Sequence, residues 1–217
     1  MEFSGKRALV TGGSRGIGKA ISVALCEAGA KTLQVDLEDW DKTRSIVKNV
    51  GNIDILVNNA GYHVSKNFLD TVKESLDKQI DINIKSVFNV SQVVAKSMIS
   101  RGTGGSIVNI SGVRSVKPSP RACGFSICKA GLDMMTKVMA LELGPHKIQV
   151  NSVNPTYVGT EETNESLRKN AEVLSSTIAR HPLGHVVSLS DVTNATLFLL
   201  SDKSSMITGT SLFVDVI

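Results

Sequence analysis

A glycine-rich turn near the N-terminus, Thr11-Gly12-Gly13-Ser14-Arg15-Gly16-Ile17-Gly18, constrains the fold of this chain more than any other segment. The apolar run Ala8–Val10 leads into the turn, and a helical pattern from Ile17 to Ala28 follows it. A turn in this context is typical of a dinucleotide site, because its glycines let the backbone approach a pyrophosphate at the helix N-terminus. A glycine-rich turn that binds nothing is the alternative interpretation.

Two residues in or near this turn predict opposite cofactor preferences. Arg15 favours NADP(H), because a guanidinium can pair with a ribose 2′-phosphate; the alternative is a solvated surface arginine. Asp36 stands at the end of the next predicted strand. A carboxylate there accepts hydrogen bonds from a free ribose 2′-hydroxyl, which favours NAD(H). The sequence leaves this choice open.

Strand-like and helix-like segments alternate along the rest of the chain. Further helices are predicted at 40–49, 76–99, 127–143 and 192–200, and further strands at 32–35, 53–57, 106–110, 149–153 and 211–216. Strands separated by crossing helices predict an α/β fold with a doubly wound parallel sheet, here as one domain over residues 1–217. Ligands of such sheets bind beyond the carboxyl ends of the strands.

The composition excludes several classes of partner. Hydrophobic residues make up 41% of the chain and charged residues 20%, as in globular proteins, and no apolar stretch is long enough to span a membrane. The net charge of +4 is spread along the chain, so we expect no nucleic-acid partner. Cys26, Cys123 and Cys128 lack metal-ligand spacing, and the N-terminus lacks a signal-peptide pattern. We therefore expect no metal and a cytoplasmic location.

The ordered motifs resemble the short-chain dehydrogenase/reductase family. Beyond the glycine-rich turn, they are Asn58-Asn59-Ala60-Gly61, Asn83, Asn109-Ile110-Ser111, Lys129 and Asn154-Pro155-Thr156. The segments 135–148 and 197–202 look like those of the L-xylulose (dicarbonyl) reductases and tetrameric carbonyl reductases within it. The resemblance implies a Rossmann fold, NADP(H)-dependent reduction of small sugar and dicarbonyl substrates, and a homo-oligomer of four or two subunits. It also implies cofactor contacts from Gly12, Ser14, Arg15, Gly16, Ile17, Gly18, Asp36, Asn58, Ala60, Gly61, Lys129 and Thr160.

The resemblance breaks at two catalytic positions. In the family, a Tyr and a Lys four residues later form the catalytic pair, and a Ser stands thirteen residues before the Tyr. Lys129 sets the register, which places Phe125 at the Tyr position and Gly112 at the Ser position, next to Ser111. Asn83, the fourth catalytic residue of the family, is present. The alternative roles are an exposed helix lysine for Lys129 and a side chain that kinks its helix for Asn83.

The loss of these hydroxyls removes the chemistry that carbonyl reduction requires. The Tyr hydroxyl of the family delivers the proton, and the Ser hydroxyl stabilises the oxyanion; such groups contribute roughly 10²–10⁴-fold and 10²–10³-fold in rate. We therefore expect activity to be severely reduced or absent. Two hypotheses remain, a reductase with weak or altered turnover and a catalytically dead relative that binds cofactor or pairs with subunits. Candidate substitute proton donors are Tyr62, Tyr157, Cys123 and Cys128, whose alternative role is packing.

The chain also lacks a segment that the family carries. Between Lys31 and Val35, a unit of about two dozen residues, one strand and one helix, is missing, and with it the basic residue of the family for the 2′-phosphate. A right-handed crossover through the first helix then predicts that Thr32–Asp36 lies directly beside the strand Ala8–Val10. The C-terminal end also departs from the family, because only two residues follow Val214-Asp215 where a glycine-containing tail is expected.

Overall fold

The computed structural model of this chain describes residues 1–35, 37, 39–160, 175, 178–179 and 182–215. Its strands are β1 (Arg7–Thr11), β2 (Lys31–Val35), β3 (Ile55–Asn58), β4 (Gly105–Ile110), β5 (Ile148–Pro155) and β6 (Ser211–Val214). Its α-helices are α1 (Gly16–Glu27), α2 (Trp40–Asn49), α3 (Lys73–Ile80), α4 (Ser86–Arg101), α5 (Cys123–Leu143) and α6 (Leu189–Leu200). None of the described helices is long and apolar enough to cross a membrane.

The strands form one six-stranded parallel sheet in the order β2-β1-β3-β4-β5-β6. This order confirms the predicted doubly wound α/β fold. Strand β2 lies directly beside β1, with Ala8 paired to Thr32 and Thr11 paired to Val35. The predicted position of Thr32–Val35 is therefore confirmed, whereas Asp36 lies outside the described residues. Because the extra strand–helix unit is missing, the next strand in the sequence, β2, takes the position at this edge of the sheet.

The core lies on both faces of this sheet, because successive residues of a strand point to opposite sides. Ala8 and Val10 of β1 belong to one core with Ile21 and Leu25 of α1, and α6 covers the same face. Leu9, between them, belongs to the other core, which also contains Leu56, Ile107 and Val150 from neighbouring strands and the inner face of α4. Both faces of the central strands are covered, so the loops at the strand ends are where a ligand can reach the sheet.

The helix predicted over 76–99 differs from the observed structure. Helix α3 ends at Ile80, a single π-helical turn covers Asp81–Lys85, and α4 begins at Ser86. The π turn places Asn83 against a neighbouring loop, as described below, and such turns are frequent at functional sites. Elsewhere the differences are in boundaries: α5 begins at Cys123 instead of Ile127, and β3 at Ile55 instead of Ile53. For β6, the predicted last residue lies outside the described residues.

Candidate active site

The loops that follow β1, β3, β4 and β5 meet at the carboxyl edge of the sheet, and every described residue of the predicted site lies in or beside them. The loop after β1 is bonded directly to the loop after β3. The hydroxyl oxygen of Thr11 accepts hydrogen bonds from the backbone N–H of Asn59 at 2.9 Å and of Ala60 at 3.1 Å. The side-chain amide of Asn59 donates to the carbonyl oxygens of Thr11 and Gly12 at 3.1 and 3.0 Å. These four hydrogen bonds hold the loop after β1 and the loop after β3 together.

The glycines of the first loop are required by this close packing. Gly12 has a φ of +62°, and a Cβ there would lie 2.9 Å from the Cα of Ala60. A Cβ on Gly18 would lie 2.3 Å from both the amide nitrogen of Asn59 and the carbonyl oxygen of Gly12. Side chains at either position would force the two loops apart. The predicted approach of these glycines to a pyrophosphate stays a prediction, whereas their packing against the loop after β3 is seen in the structure. The sequence analysis did not single out Asn59, whose only signal is its place in the motif 58–61.

The N-terminus of α1 fits the pyrophosphate of a dinucleotide. Its N-cap residue, Arg15, has extended backbone, makes no side-chain cap hydrogen bond among the described residues, and precedes a first turn that contains no acidic residue. The backbone N–H groups of that turn therefore carry a partial positive charge that no described carboxylate of the turn neutralises. Ser14 and Arg15 are exposed at the tip of the loop. Across from it, the methyl carbon of Thr160 would lie 3.7 Å from a Cβ built on Gly16.

Phe125 and Lys129 lie one turn apart on α5, beneath the loop that follows β3. The ring of Phe125 has the side-chain nitrogen of Lys129 5.2 Å from its centroid. That nitrogen donates a hydrogen bond of 2.8 Å to the carbonyl oxygen of Ile110 at the end of β4. Lys129 is 5% exposed, so it is buried and not a surface lysine. Its burial lowers the pKa of the ammonium to about 8, against smaller opposite effects of Cys128 and Asp133.

Gly112 stands directly after β4 and has room for a side chain. Its φ of 167° is extended backbone, which any residue adopts. A Cβ there would lie 3.5 Å from the carbonyl oxygen of Pro155, an ordinary van der Waals contact. The neighbouring Ser111 does not substitute for the missing hydroxyl, because its side chain is buried and donates to the carbonyl oxygen of Lys129 at 3.3 Å. The missing hydroxyl is thus a property of the sequence and not of a crowded site.

Asn83 ties the π turn to the loop after β3. Its side-chain amide donates to the carbonyl oxygens of Tyr62 and Gln79, both at 2.7 Å, and its oxygen accepts from the N–H of Tyr62 at 3.1 Å. The residue is 1% exposed. These three bonds use the whole side chain in positioning the loop that follows Gly61. In this structure Asn83 therefore acts through the loop, in keeping with the predicted alternative of a helix-distorting asparagine.

Asn58 faces the interior instead of the cleft. Its side-chain nitrogen donates to the hydroxyl of Ser91 at 2.9 Å and to the side-chain oxygen of Asn109 at 2.8 Å. Asn109 in turn donates to the hydroxyl of Thr136 at 2.8 Å. This buried chain of polar groups joins two strands to α4 and α5. The expected cofactor contact of Asn58 remains a prediction.

The side chain that faces Phe125 from the opposite loop is His63, which the sequence analysis did not single out. The two ring centroids are 4.8 Å apart, and the rings are inclined at 55°. Burial, and after it the positive charge of Arg114, lower the pKa of His63 below its ordinary value of 6.5. The sequence signal that could have identified His63 is its position two residues after Gly61, in the loop that follows β3. Of the predicted substitute donors, Tyr62 lies with its ring under the ammonium of Lys78, and Cys128 is fully buried.

Comparisons with known proteins agree with this geometry. The sequence profile of a family described as Enoyl-(Acyl carrier protein) reductase matches residues 32–216. The chain is 44% identical to carbonyl reductase (NADPH) 2 of Sus scrofa, over 99% of this chain and 97% of that protein. It is 42% identical to L-xylulose reductase of Mesocricetus auratus, over 98% and 96%. The first of these alignments runs over 237 residues, more than the 217 of this chain, as a missing internal segment requires.

A solved structure has nearly the same backbone. The crystal structure of a gluconate 5-dehydrogenase from Burkholderia cenocepacia J2315, in complex with NADP and tartrate, is similar to this chain with a TM-score of 0.91. The two are 31% identical, and the match covers 98% of this chain and 94% of that one. The backbone of this chain therefore has the same overall arrangement as that protein.

Proposed function

This chain belongs to the short-chain dehydrogenase/reductase family, and from that premise we propose that it is an NADP(H)-binding relative of the L-xylulose and carbonyl reductases with severely reduced activity. The observation that carries the proposal is the pair Phe125 and Lys129. The ammonium of Lys129 lies near a ring that has no hydroxyl and is bonded to the carbonyl oxygen of Ile110. The general acid of the ordinary reaction is therefore missing, although Lys129 is present one turn along the same helix.

The glycine-rich loop supports cofactor binding. Gly12 to Gly18 would hold the pyrophosphate through backbone N–H groups, with Ala60, Gly61 and Thr160 on the opposite side of the cleft. Lys129 would bond the nicotinamide ribose. The cofactor, when bound, supplies the hydride for the carbonyl carbon. NADP(H) is favoured because relatives are named for NADPH or crystallised with NADP and because Arg15 is exposed at the tip of the loop. NAD(H) remains the alternative that Asp36 favours.

Weak turnover of a small dicarbonyl or sugar is the second candidate function. The observation that favours it is the position of His63, which brings a titratable group into contact with the ring of Phe125. This candidate differs from a catalytically dead cofactor-binding or subunit-pairing protein only in whether a proton reaches the substrate oxygen. The two classes are therefore separated by turnover and not by cofactor binding.

We further propose that the chain forms a homo-oligomer in the cytoplasm. Four apolar side chains on one stripe of α5 are 44% to 80% exposed, namely Ile127, Met134, Val138 and Leu141. Their spacing along the helix puts them on one face, and contiguous apolar surface of this kind is typical of subunit contacts. Met135 and Met139 are partly buried beside this stripe.

The proposed function is tested by two measurements on the same purified protein. NADPH binding is followed by the change in nicotinamide fluorescence, and NADPH consumption is followed with diacetyl or L-xylulose as substrate. We expect binding with little or no turnover. Rapid turnover comparable with that of an intact reductase would refute the impairment, whereas an absence of binding would refute the cofactor site.

A further inference from the structure

We infer that His63 is the proton donor for whatever carbonyl reduction this chain performs. The inference rests on the proposed function, because the cofactor has to bind before a proton is needed. His63 follows β3 and Phe125 lies on α5, so the two come from different sides of the cleft, and their ring centroids are 4.8 Å apart. Among the described residues, His63 is the imidazole that contacts the ring of Phe125. The ring of Phe125 marks the place of the missing tyrosine, and His63 is the titratable group that contacts this ring from the cleft side.

The geometry of the loop favours this role. The side chain of Asn83 bonds both backbone groups of Tyr62, at 3.1 and 2.7 Å, so the residue before His63 is fixed. Aromatic pairs with centroids 4.5–7 Å apart and inclined rings are stable contacts, which limits the movement of the imidazole itself. His63 is also exposed on its outer side. A proton that leaves the ring is therefore replaced from solvent.

The chemical step balances with this one donor. The carbonyl carbon gains the hydride supplied by NADPH, the C=O π bond breaks, and the electron pair left on oxygen takes the proton of the His63 imidazolium. The carbonyl compound is reduced to an alcohol, the cofactor is oxidised, and a neutral imidazole remains. A new O–H bond and a new C–H bond form, and no further reactant is required.

The charges around His63 determine its pH dependence. Arg114, in the turn after β4, lowers the pKa of His63, in addition to the effect of burial. Lys129 lies near the ring of Phe125, and Lys78, on α3, lies over the neighbouring Tyr62. All three are cations. A required imidazolium is therefore present only at mildly acidic pH, and the rate falls as the pH rises through the pKa of His63.

Lys129 is the competing donor, and the pH profile distinguishes the two. Its pKa is lowered to about 8, so a reaction that used its proton would keep its full rate up to that pH. A reaction that uses His63 loses its rate at a pH below 6.5. The side chain of Lys129 already donates to the carbonyl oxygen of Ile110 and is 5% exposed, whereas His63 is exposed to solvent, which favours His63 as the donor.

The experiment compares His63→Gln with His146→Gln in the full-length chain, with diacetyl and NADPH between pH 5.5 and 8.5. His146 is exposed in the turn that follows α5 and serves as the matched control. We expect His63→Gln to lower kcat/KM at pH 6 by about tenfold or more. The fall in kcat/KM as the pH rises through the pKa of His63 should also disappear in this variant. His146→Gln should have the kcat/KM and the pH profile of the wild type. In the Phe125→Tyr background, the same His63 substitution should change kcat/KM by less than about threefold, because a hydroxyl then competes as donor.

A spectroscopic measurement supplies a result that does not depend on turnover. The imidazole NMR signals of His63, assigned with His63→Gln, are titrated with NADP⁺ present, with and without acetoin. We expect acetoin to change the pKa of His63 and to leave the NMR signals of His146 unchanged. Equal turnover of wild type and His63→Gln, a limb near pH 8, no turnover in wild type, or no response to acetoin would each overturn the inference. If the wild-type protein does not bind NADPH, as followed by nicotinamide fluorescence, the proposed function itself would be overturned.

Discussion

Phe125 stands at the position where the family resemblance implies the catalytic tyrosine. Lys129 lies near the ring, and Gly112 leaves space for a serine side chain with its nearest contact at 3.5 Å. We predict that Phe125→Tyr combined with Gly112→Ser raises kcat/KM for diacetyl by at least about 10²-fold, because each well-placed hydroxyl contributes roughly 2–4 kcal/mol of transition-state stabilisation. Steady-state NADPH oxidation measures the effect.

The matched control for this pair is Phe125→Leu with Gly112→Ala, which changes the same positions without adding a hydroxyl. We expect no gain from it. If the Tyr–Ser variant binds NADPH but gains no activity, the missing strand–helix unit and not the chemistry is the limiting defect.

The buried ammonium of Lys129 carries a cost in stability that depends on pH. Its pKa is about 8 in the folded chain against an ordinary 10.5, so between these values the unfolded chain binds a proton that the folded chain does not. The free energy of unfolding therefore rises with pH between about 8 and 10.5. Below pH 8 the buried ammonium lowers the free energy of unfolding by its full amount. We predict that Lys129→Met increases the free energy of unfolding by about 1–2 kcal/mol at pH 7 and that the gain shrinks toward pH 10.

Denaturant unfolding at pH 7 and pH 9.5 measures this difference, with Lys137→Met on the exposed face of the same helix as the control. A gain that stays constant between the two pH values would show that burial of the charge is not its cause. A loss at both values would show that the bond to Ile110 outweighs the penalty.

At the scale of elements, the π turn between α3 and α4 is stabilised by one side chain. Asn83 satisfies the two backbone groups of Tyr62 and bonds back to Gln79. We predict that Asn83→Ala lowers the free energy of unfolding by about 2–4 kcal/mol, because it leaves buried backbone groups without partners. It should also weaken NADPH binding, since it loosens the loop that bears Gly61 and His63.

Lys85→Ala, in the exposed part of the same π turn, is the control and should leave stability unchanged within error. Calorimetry and NADPH titration of both variants test the prediction. Equal stability of Asn83→Ala and wild type would mean that water replaces the lost bonds.

The order of elements also explains how the shortened chain closes its sheet. With one strand–helix unit missing, α1 delivers the chain to the position beside β1, because a right-handed crossover over the sheet reaches that neighbour. The register from Arg7 with Lys31 to Thr11 with Val35 shows the result. Strand β2 thereby becomes an edge strand of the sheet.

At the scale of the whole molecule, cofactor selectivity depends on charges from two elements. The exposed Arg15 is predicted to attract a 2′-phosphate and Asp36 to repel it, and the resemblance implies that the basic residue of the family is lost with the missing unit. We predict that NADPH is preferred over NADH by less than in the relatives. Fluorescence titration of both cofactors at low and moderate salt measures it, and a strong NADPH preference that disappears in Arg15→Ala would show that Arg15 dominates.

The exposed apolar stripe on α5 leads to a prediction about the oligomeric state. Met134→Asp and Leu141→Asp place charges on side chains that are 59% and 80% exposed in the single chain. We expect each to lower the molar mass measured by light scattering from that of a dimer or tetramer toward that of one chain. Val23→Asp on α1, at the opposite face of the sheet, is the control and should leave the mass unchanged. A wild-type chain that is monomeric at micromolar concentration would contradict the assignment.

Much of the candidate site could be predicted because its signals are local. The glycine-rich turn depends on conformations that few residues adopt, and the alternation of strands and helices follows from the hydrophobic pattern of each segment. Both features are set by neighbours within one turn or one strand, so the linear order of residues determines them. The assignment of Phe125 and Gly112 to catalytic positions came instead from the family resemblance and stays a prediction.

The tertiary structure decided what depends on contacts between distant loops. The partners of Asn83 lie 21 residues away at Tyr62, the amide of Asn58 is turned inward to Asn109, and His63 meets Phe125 across the cleft. None of these pairs has a period or a turn signal, because their approach is set by the packing of α3 and α5 on the sheet. The sequence by itself determined that Phe125 and Gly112 stand where the family resemblance implies a tyrosine and a serine, and the folded chain decided that His63 contacts the ring of Phe125, because that contact joins two distant segments.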